Sequence, residues 1–250
     1  MATHVNRAMI LAAGFGKRLR PITDTIPKPL VPVGGRTMLD RSLDLAEAAG
    51  VTDAVINVHY LAEKIVAHCA ARATPRITIS DETDRILETG GGVAKALPVL
   101  GTEPFLLLNA DTFWVEWGQS NLAAMIEMFD PARMDILLML CRLTETTGHA
   151  GGADFAMDED GRLNRLYDKA DPAGLLYAGA TIYNPAIFAG APVEPHSLNV
   201  YYDRAVAAGR LFGYCMREGH WFTVGTPEAL PAAERKLAAL KQANAAQIGD

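Results

Sequence analysis

Apolar runs and helical spacings alternate along the first hundred residues. Residues 8–11 (Ala-Met-Ile-Leu) carry no polar side chain, the pattern of a strand buried on both faces. After Thr37, the apolar residues Leu39, Leu43 and Ala46 recur at helical spacing behind a Thr-x-x-Asp capping pattern, and Gly50 is a natural stop. Residues 54–58 read as a strand, 61–72 as a helix and 77–80 as a short strand. Residues 92–100 then read as a helix, and 105–109 as a second fully apolar strand. Beyond about residue 150 the runs shorten. Stretches 154–158, 162–167 and 176–183 are strand-like, with Asp160-Gly161 a hairpin turn between the first two. A helix at 197–208, a strand at 211–216 and a closing helix from 227 to about 243 complete the pattern.

Alternating β and α units predict an α/β fold: a three-layer, Rossmann-like sandwich with a mostly parallel central sheet and helices on both faces. The short strands after residue 150 add a small, partly antiparallel lobe. No Pro/Ser-rich linker or internal repeat interrupts the chain, so residues 1–250 are expected to form one domain. In such sheets ligands bind beyond the carboxyl ends of the strands, which draws attention to the loops after residues 11, 58 and 109.

The first of these loops is the most distinctive stretch of the chain. Ala12-Ala13-Gly14-Phe15-Gly16 lets the backbone close around a ligand, and Lys17, Arg18, Arg20 and Lys28 follow within reach. Backbone N–H groups beside clustered cations make a seat for phosphates. Pro21, Pro27, Pro29 and Pro32 stiffen the return path. Two better-known phosphate motifs do not fit. The dinucleotide fingerprint needs glycine where Leu19 stands, and a Walker loop needs glycine and Ser/Thr where Leu11 and Arg18 stand.

Composition narrows the partner. Half of the 250 residues are hydrophobic and the net charge is −6, which argues against nucleic acid as a ligand and makes the basic loop a local exception. Residues 1–7 lack an apolar signal core and no run is long enough to cross a bilayer, so a cytoplasmic protein is expected. Cys69, Cys141 and Cys215 are widely spaced, as reduced, mostly buried thiols would be.

Two further stretches carry candidate chemistry. Asp111 leaves the apolar run 105–109 onto the ligand edge. Its carboxylate suits a divalent metal bound to a triphosphate, or else caps a helix beginning at Thr112. Gly90-Gly91-Gly92 removes three side chains in a row, which suits either the approach of a flat ring or a plain flexible turn. His59 also falls on the ligand edge, as a ligand contact or a satisfied structural histidine; His68, inside a helical pattern, reads as structural or solvent-facing, and His149 and His196 carry no readable role.

Leu11-Ala12-Ala13-Gly14, Gly16, Arg18, Leu19, Pro21, Thr23 and Pro27-Lys28-Pro29-Leu30 together resemble the signature of the sugar-1-phosphate nucleotidylyltransferases. The resemblance implies that Leu11, Ala12, Ala13, Gly14, Phe15, Gly16 and Lys17 wrap a nucleoside triphosphate. It places Arg18 and Lys28 on its phosphates as catalytic groups, with Asp111 holding Mg2+ or Mn2+. It makes Glu88, Gly90 and Gly91 a base-reading segment. Asp154, Asp168, Lys169 and Gly179 would bind the sugar phosphate, so that residues 1–150 form the nucleotide part and 151–250 the sugar-phosphate part. The chain departs from the family pattern in two places. Asp168-Lys169-Ala170 stands where relatives have Glu-Lys-Pro, and Thr223 where they have a second metal-binding aspartate.

Within the family, residues 87–92, 152–155 and 220–226 are most similar to bacterial N-acetylmuramate-1-phosphate uridylyltransferases, with mannose-1-phosphate guanylyltransferases next. The resemblance implies UTP and N-acetylmuramate 1-phosphate as substrates, an NDP-sugar and pyrophosphate as products, and a place in cell-wall recycling. It implies no membrane or nucleic-acid partner and a monomer or small homo-oligomer. The chain ends soon after its last helix, so the β-helix appended in bifunctional relatives is not expected. A catalytically silent nucleotide-sugar sensor is the reading from a different class.

Overall fold

A computed structural model describes residues 4–248; residues 1–3 of the polar N-terminal stretch, and 249–250, lie outside the described residues. The charge-free run after Arg7 forms strand β1 (Arg7–Leu11), with Ala8, Met9 and Ile10 fully buried. It is flanked on one side by β2 (Asp53–Val58) and on the other by β4 (Phe105–Asn109), both parallel to it. β3 (Arg76–Asp81) pairs in parallel outside β2. Helices α1 (Met38–Ala48), α2 (Ala62–Cys69) and α3 (Glu88–Leu100) supply the connections. The cap of α1 is the expected one: the Thr37 hydroxyl accepts from Asp40 N–H at 3.0 Å. Its Leu39, Leu43 and Ala46 are buried in one of the apolar layers that sandwich the sheet.

Strands from both halves of the chain share this nine-stranded sheet. The long β9 (Leu175–Tyr183) inserts antiparallel beside β4, and β6 (Ile136–Arg142) lies along its other edge. The hairpin β7–β8 (Phe155–Met157 and Leu163–Arg165) turns at Asp160-Gly161 and joins the start of β9. β10 (Leu211–Cys215) runs parallel to β6. The partly antiparallel region is therefore continuous with the main sheet: β8 and β9 run against the other strands, and the sheet is mostly parallel by direction. Helix α5 (Asn199–Ala207) covers the same face as α3, since Tyr201, Tyr202 and Ala205 share a buried cluster with Val93 and Ala96.

Three elements between residues 112 and 142, and one strand near the end, go beyond the sequence expectations. β5 (Thr112–Glu116) pairs antiparallel with β11 (Gly219–Thr223), and Thr146–Thr147 completes a small second sheet. Helix α4 (Asn121–Met128) starts at a Ser120 cap, and β6 follows it. Helix α6 (Ala229–Ile248) closes the described chain. Its Ala233 and Leu237 pack with Leu19 and Val31 of the basic loop and with Phe113 and Phe222 of the small sheet. That cluster is the floor on which the basic loop rests. Among the described residues, no helix is long and apolar enough to cross a membrane.

Candidate active site

The basic loop after β1 is built from three short 3-10 turns, Lys17–Leu19, Ile22–Asp24 and Lys28–Leu30. Gly16 adopts a left-handed φ of 63°, and a Cβ there would stand 2.9 Å from Thr23 Cγ2 and 3.0 Å from Lys28 Cβ. The close turn is fixed by Thr23 Oγ1, which donates to Gly16 O at 2.9 Å; Tyr60 Oη in turn donates to Thr23 O at 2.9 Å. Phe15 leans edge-on to His59 at 5.3 Å, and His59 Nδ1 lies 2.6 Å from Glu82 O. His59 and Tyr60 thus brace the loop from behind.

Gly14 differs from Gly16: a Cβ on it would meet nothing within 4 Å. The open space is a cleft of about 320 Å³ lined by Leu11, Ala12, Gly14, Phe15, Gly16, Lys17, Arg18, Lys28 and Asp111. A second cleft of about 440 Å³ shares Leu11, Gly14 and Asp111 with the first and runs toward Ala13, Asn57, Glu88, Thr89, Asn109 and Ser197. Both volumes are of the size that takes small ligands. Strand, loop and carboxylate meet as the topology requires, because β1 and β4 are adjacent and parallel and end at the same edge.

Lys28 and Asp111 form the centre of this arrangement. Lys28 Nζ donates to Asp111 Oδ2 at 2.8 Å, with the lysine side chain 11% exposed and the aspartate 45%. A nearly buried ammonium therefore points at a carboxylate that stays open to the cleft. Asp111 sits in the turn where the chain leaves β4 for β5, so it precedes a strand, and the helix-capping alternative is excluded. Thr223 pairs with Thr112 across β11 and β5, which sets it beside the Asp111 turn. Arg18 is exposed at the rim, its Nη2 3.7 Å from where a Cβ on Gly225 would stand. Among the described residues there is no group of three or more His, Cys, Asp and Glu side chains that could hold a metal.

The second glycine stretch is not what its composition suggests. Gly90, Gly91 and Gly92 lie within the first five residues of α3, and all three are buried. A Cβ on Gly90 would stand 2.5 Å from His196 Cδ2, one on Gly91 would overlap Glu194 O, and one on Gly92 would stand 2.8 Å from Glu82 Oε1. Gly90 N–H donates to His196 O at 2.8 Å, and Leu198 N–H to Thr89 Oγ1 at 2.9 Å. The missing side chains make room for protein, and Gly90 and Gly91 line neither cleft. From this stretch it is Ile86, Glu88 and Thr89 that line the second cleft. Glu88 has a left-handed φ of 57° and an exposed side chain. His196 and Ser197 had no sequence signal, because their contacts with residues 87–91 come from distant parts of the chain.

The residues expected around the sugar phosphate are only partly assembled. Lys169 Nζ pairs with Asp154 Oδ1 at 3.2 Å, and Asp154 Oδ2 accepts from Tyr177 N–H at 3.1 Å. Asp168 is exposed and its Oδ1 accepts from Ala170 N–H at 3.0 Å, so this carboxylate closes its own turn. Asp154, Asp168 and Lys169 line neither cleft. Gly179, with φ of 83°, sits at a register shift in β9, and the space of its missing side chain is taken by Thr112 Oγ1. The three cysteines are free; burial pushes the Cys69 thiol up to about 11 and raises Cys141 and Cys215 as well.

Comparison with known proteins agrees with this architecture. The sequence model of the nucleotidyl transferase family matches residues 7–239. The chain is 44% identical over 235 residues to the N-acetylmuramate alpha-1-phosphate uridylyltransferase of Caulobacter vibrioides, covering 92% of this chain and 96% of that one. It is 32% identical over 230 residues to the mannose-1-phosphate guanyltransferase of Neurospora crassa, covering 89% of this chain and 61% of that one. Among solved structures, a UDP-glucose pyrophosphorylase complexed with UDP-glucose superimposes with a TM-score of 0.76 at 17% identity, covering 94% and 99% of the two chains. Fold, matched length and identity agree: the chain is an enzyme of the nucleotidyl transferase family.

Proposed function

We propose that this chain transfers a nucleotidyl group from a nucleoside triphosphate to a sugar 1-phosphate, with UTP and N-acetylmuramate 1-phosphate as the substrates. The observation that carries the reading is the convergence of the open Gly14 backbone and the Lys28–Asp111 pair on one cleft. The high identity to a uridylyltransferase supports the choice of substrates. Triphosphate oxygens meet the N–H groups and cations of residues 13–18, the base lies toward Glu88 and Thr89, and the sugar phosphate enters from the side of Lys169.

In the reaction an oxygen of the sugar phosphate attacks the α-phosphorus. The new P–O bond forms as the bond from the α-phosphorus to the bridging oxygen breaks, and pyrophosphate leaves with the electron pair. A phosphate monoester has its second pKa at about 6, so the nucleophile is already dianionic at neutral pH and needs no general base. What the protein must supply is alignment of two mutually repelling anions and neutralisation of charge as the leaving group departs. Lys28 is suited to this, being held nearly dry at a fixed position, and Arg18 reaches in from the rim.

Asp111 fits a divalent ion delivered by the triphosphate. Its carboxylate lines both clefts and is 45% exposed, and magnesium is commonly bound by one or two carboxylates together with phosphate oxygens. Bound there, the metal would neutralise charge on the phosphates. Thr223 contributes at most a neutral hydroxyl. The protein acts in the cytoplasm, where its free thiols stay reduced, as a monomer or small homo-oligomer in cell-wall recycling. A coupled assay for pyrophosphate over UTP, GTP and CTP, each with N-acetylmuramate 1-phosphate and mannose 1-phosphate, tests the reading. Fastest release with UTP and the muramate sugar is expected. Preference for GTP with mannose 1-phosphate would assign the chain to the guanylyl branch, and no release with any pair would leave only the silent sensor.

A further inference from the structure

Asn57, which lines the second cleft, is bonded to a buried carboxylate, Glu82, and the reaction as written uses neither side chain. Asn57, on β2, is 2% exposed, and Glu82, immediately after β3, is 1% exposed. They form a chain of hydrogen bonds between two loops. Ala12 N–H donates to Asn57 Oδ1 at 2.8 Å, Asn57 Nδ2 donates to Glu82 Oε1 at 2.8 Å, and Leu87 N–H donates to Glu82 Oε2 at 3.0 Å. Gly92 is required by this chain, since a Cβ there would stand 2.8 Å from Glu82 Oε1 and 3.0 Å from Asn57 Nδ2.

The direction of these bonds is dictated by chemistry. An ionised carboxylate offers only acceptors, so Asn57 must present its NH2 to Glu82 and its oxygen to Ala12. A buried group of this kind is costly unless every donor and acceptor is matched, and here each bond depends on the next. Ala12 opens the glycine loop, and Leu87 precedes Glu88 and Thr89 on the far wall of the second cleft. The two segments are far apart in sequence and are joined through this one chain of side-chain bonds.

We propose that Glu82 is a positioning residue for the nucleoside triphosphate: acting through Asn57, it fixes the distance between the phosphate loop at Ala12 and the segment at Leu87–Thr89. This rests on the reading that the clefts hold a nucleotide. Glu82→Gln keeps the shape but removes one acceptor. Whichever way the new amide turns, a donor faces a donor at Leu87, at Asn57 or, after Asn57 flips, at Ala12.

The test is a set of three variants, Glu82→Gln, Asn57→Asp and the double variant, each titrated with UTP–Mg2+ by calorimetry below its unfolding temperature. Glu82→Gln should weaken UTP about tenfold, the effect of one unmatched buried polar group, and should raise KM for UTP while changing kcat by less than about twofold. Asn57→Asp sets two carboxylates face to face and should weaken UTP at least as much. In the double variant the carboxylate at 57 accepts from Ala12 N–H and from the new NH2 at 82, whose oxygen accepts from Leu87 N–H. All three bonds return, the middle one with donor and acceptor exchanged, so affinity should recover relative to Asn57→Asp, with the charge at 57 held constant. A merely structural contact would not give this rescue. Glu82→Gln binding UTP as the wild type does, or a double variant no better than Asn57→Asp, overturns the proposal. If the wild type binds no nucleoside triphosphate, it is the functional reading that fails. The bond chain is then still read by amide exchange, where Ala12 and Leu87 should both be protected in the wild type and one of them lost in Glu82→Gln.

Discussion

Two glycine-rich stretches meet at the second cleft, and their glycines are used in opposite ways. At residues 14–16 the chain leaves a buried strand, Gly14 has no neighbour where a side chain would go, and the vacant space belongs to the cleft. At residues 90–92 every such space is occupied, by His196, by the Glu194 carbonyl and by the Glu82–Asn57 pair. A glycine run records that something comes close to the backbone, without saying whether it is a ligand or the protein itself. What separates the two cases is the company they keep. Lys17, Arg18 and Lys28 surround the first, whereas the second is followed by the apolar helix face of Val93, Ala94 and Ala96.

The largest effect expected from this contrast is at Lys28. Lys28→Met should lower kcat/KM by about 10²–10³, on the order of 3–4 kcal/mol of transition-state stabilisation, as for other charge-stabilising donors. Its unfolding temperature should change little, because Asp111 is 45% exposed and can be hydrated once its partner is gone. Steady-state kinetics with a melting curve checks both halves.

Next comes Gly91→Ala. The added methyl group would overlap the carbonyl of Glu194, which is backbone and cannot rotate away. A loss of about 1–3 kcal/mol in stability is expected from such overpacking, read as a lower midpoint in urea. Gly14→Ala is its counterpart and should leave the midpoint where it is. Instead it should weaken UTP about tenfold, roughly 1.4 kcal/mol, by standing where the phosphates approach. If Gly14→Ala destabilised the fold and Gly91→Ala did not, the contrast between the two stretches would collapse.

The smallest effect concerns the metal. Thr223→Asp adds a carboxylate beside the Asp111 turn and should tighten Mn2+ binding to the nucleotide-free protein by a few-fold, on the order of 1 kcal/mol. Calorimetry with Mn2+ alone measures it. Tight binding by the wild type that Thr223→Ala abolishes would mean that the threonine already serves as a ligand, against the reading of Asp111 as the main protein anchor.

Much of this fold is readable in the chain. The charge-free runs at β1 and β4 and the Thr37 cap and Gly50 stop of α1 follow from local rules, and they suffice to bring the basic loop and Asp111 to one sheet edge. β6 has the same apolar signal as β1. β5 and β11 are different: their alternation is weak, and it is their pairing with each other, residue 112 with 223, that makes them strands. Their absence from the expectations is what left a helix cap open as a reading of Asp111. The Lys28–Asp111 bond, the Asn57–Glu82 chain and the packing of His196 on Gly90 join positions distant in sequence, and no spacing rule finds such pairs. The family resemblance placed Lys28 and Asp111 in one site without giving the bond between them.

The account is tested most directly by titrating UTP–Mg2+ into isotopically labelled protein and following the backbone amide resonances. The amides of Gly14, Phe15, Gly16 and Lys17 should shift most, as groups that meet phosphate oxygens, while Gly91 and Gly92, enclosed by protein, should move far less. Largest shifts at Gly91 and Gly92, with residues 14–17 unmoved, would contradict it.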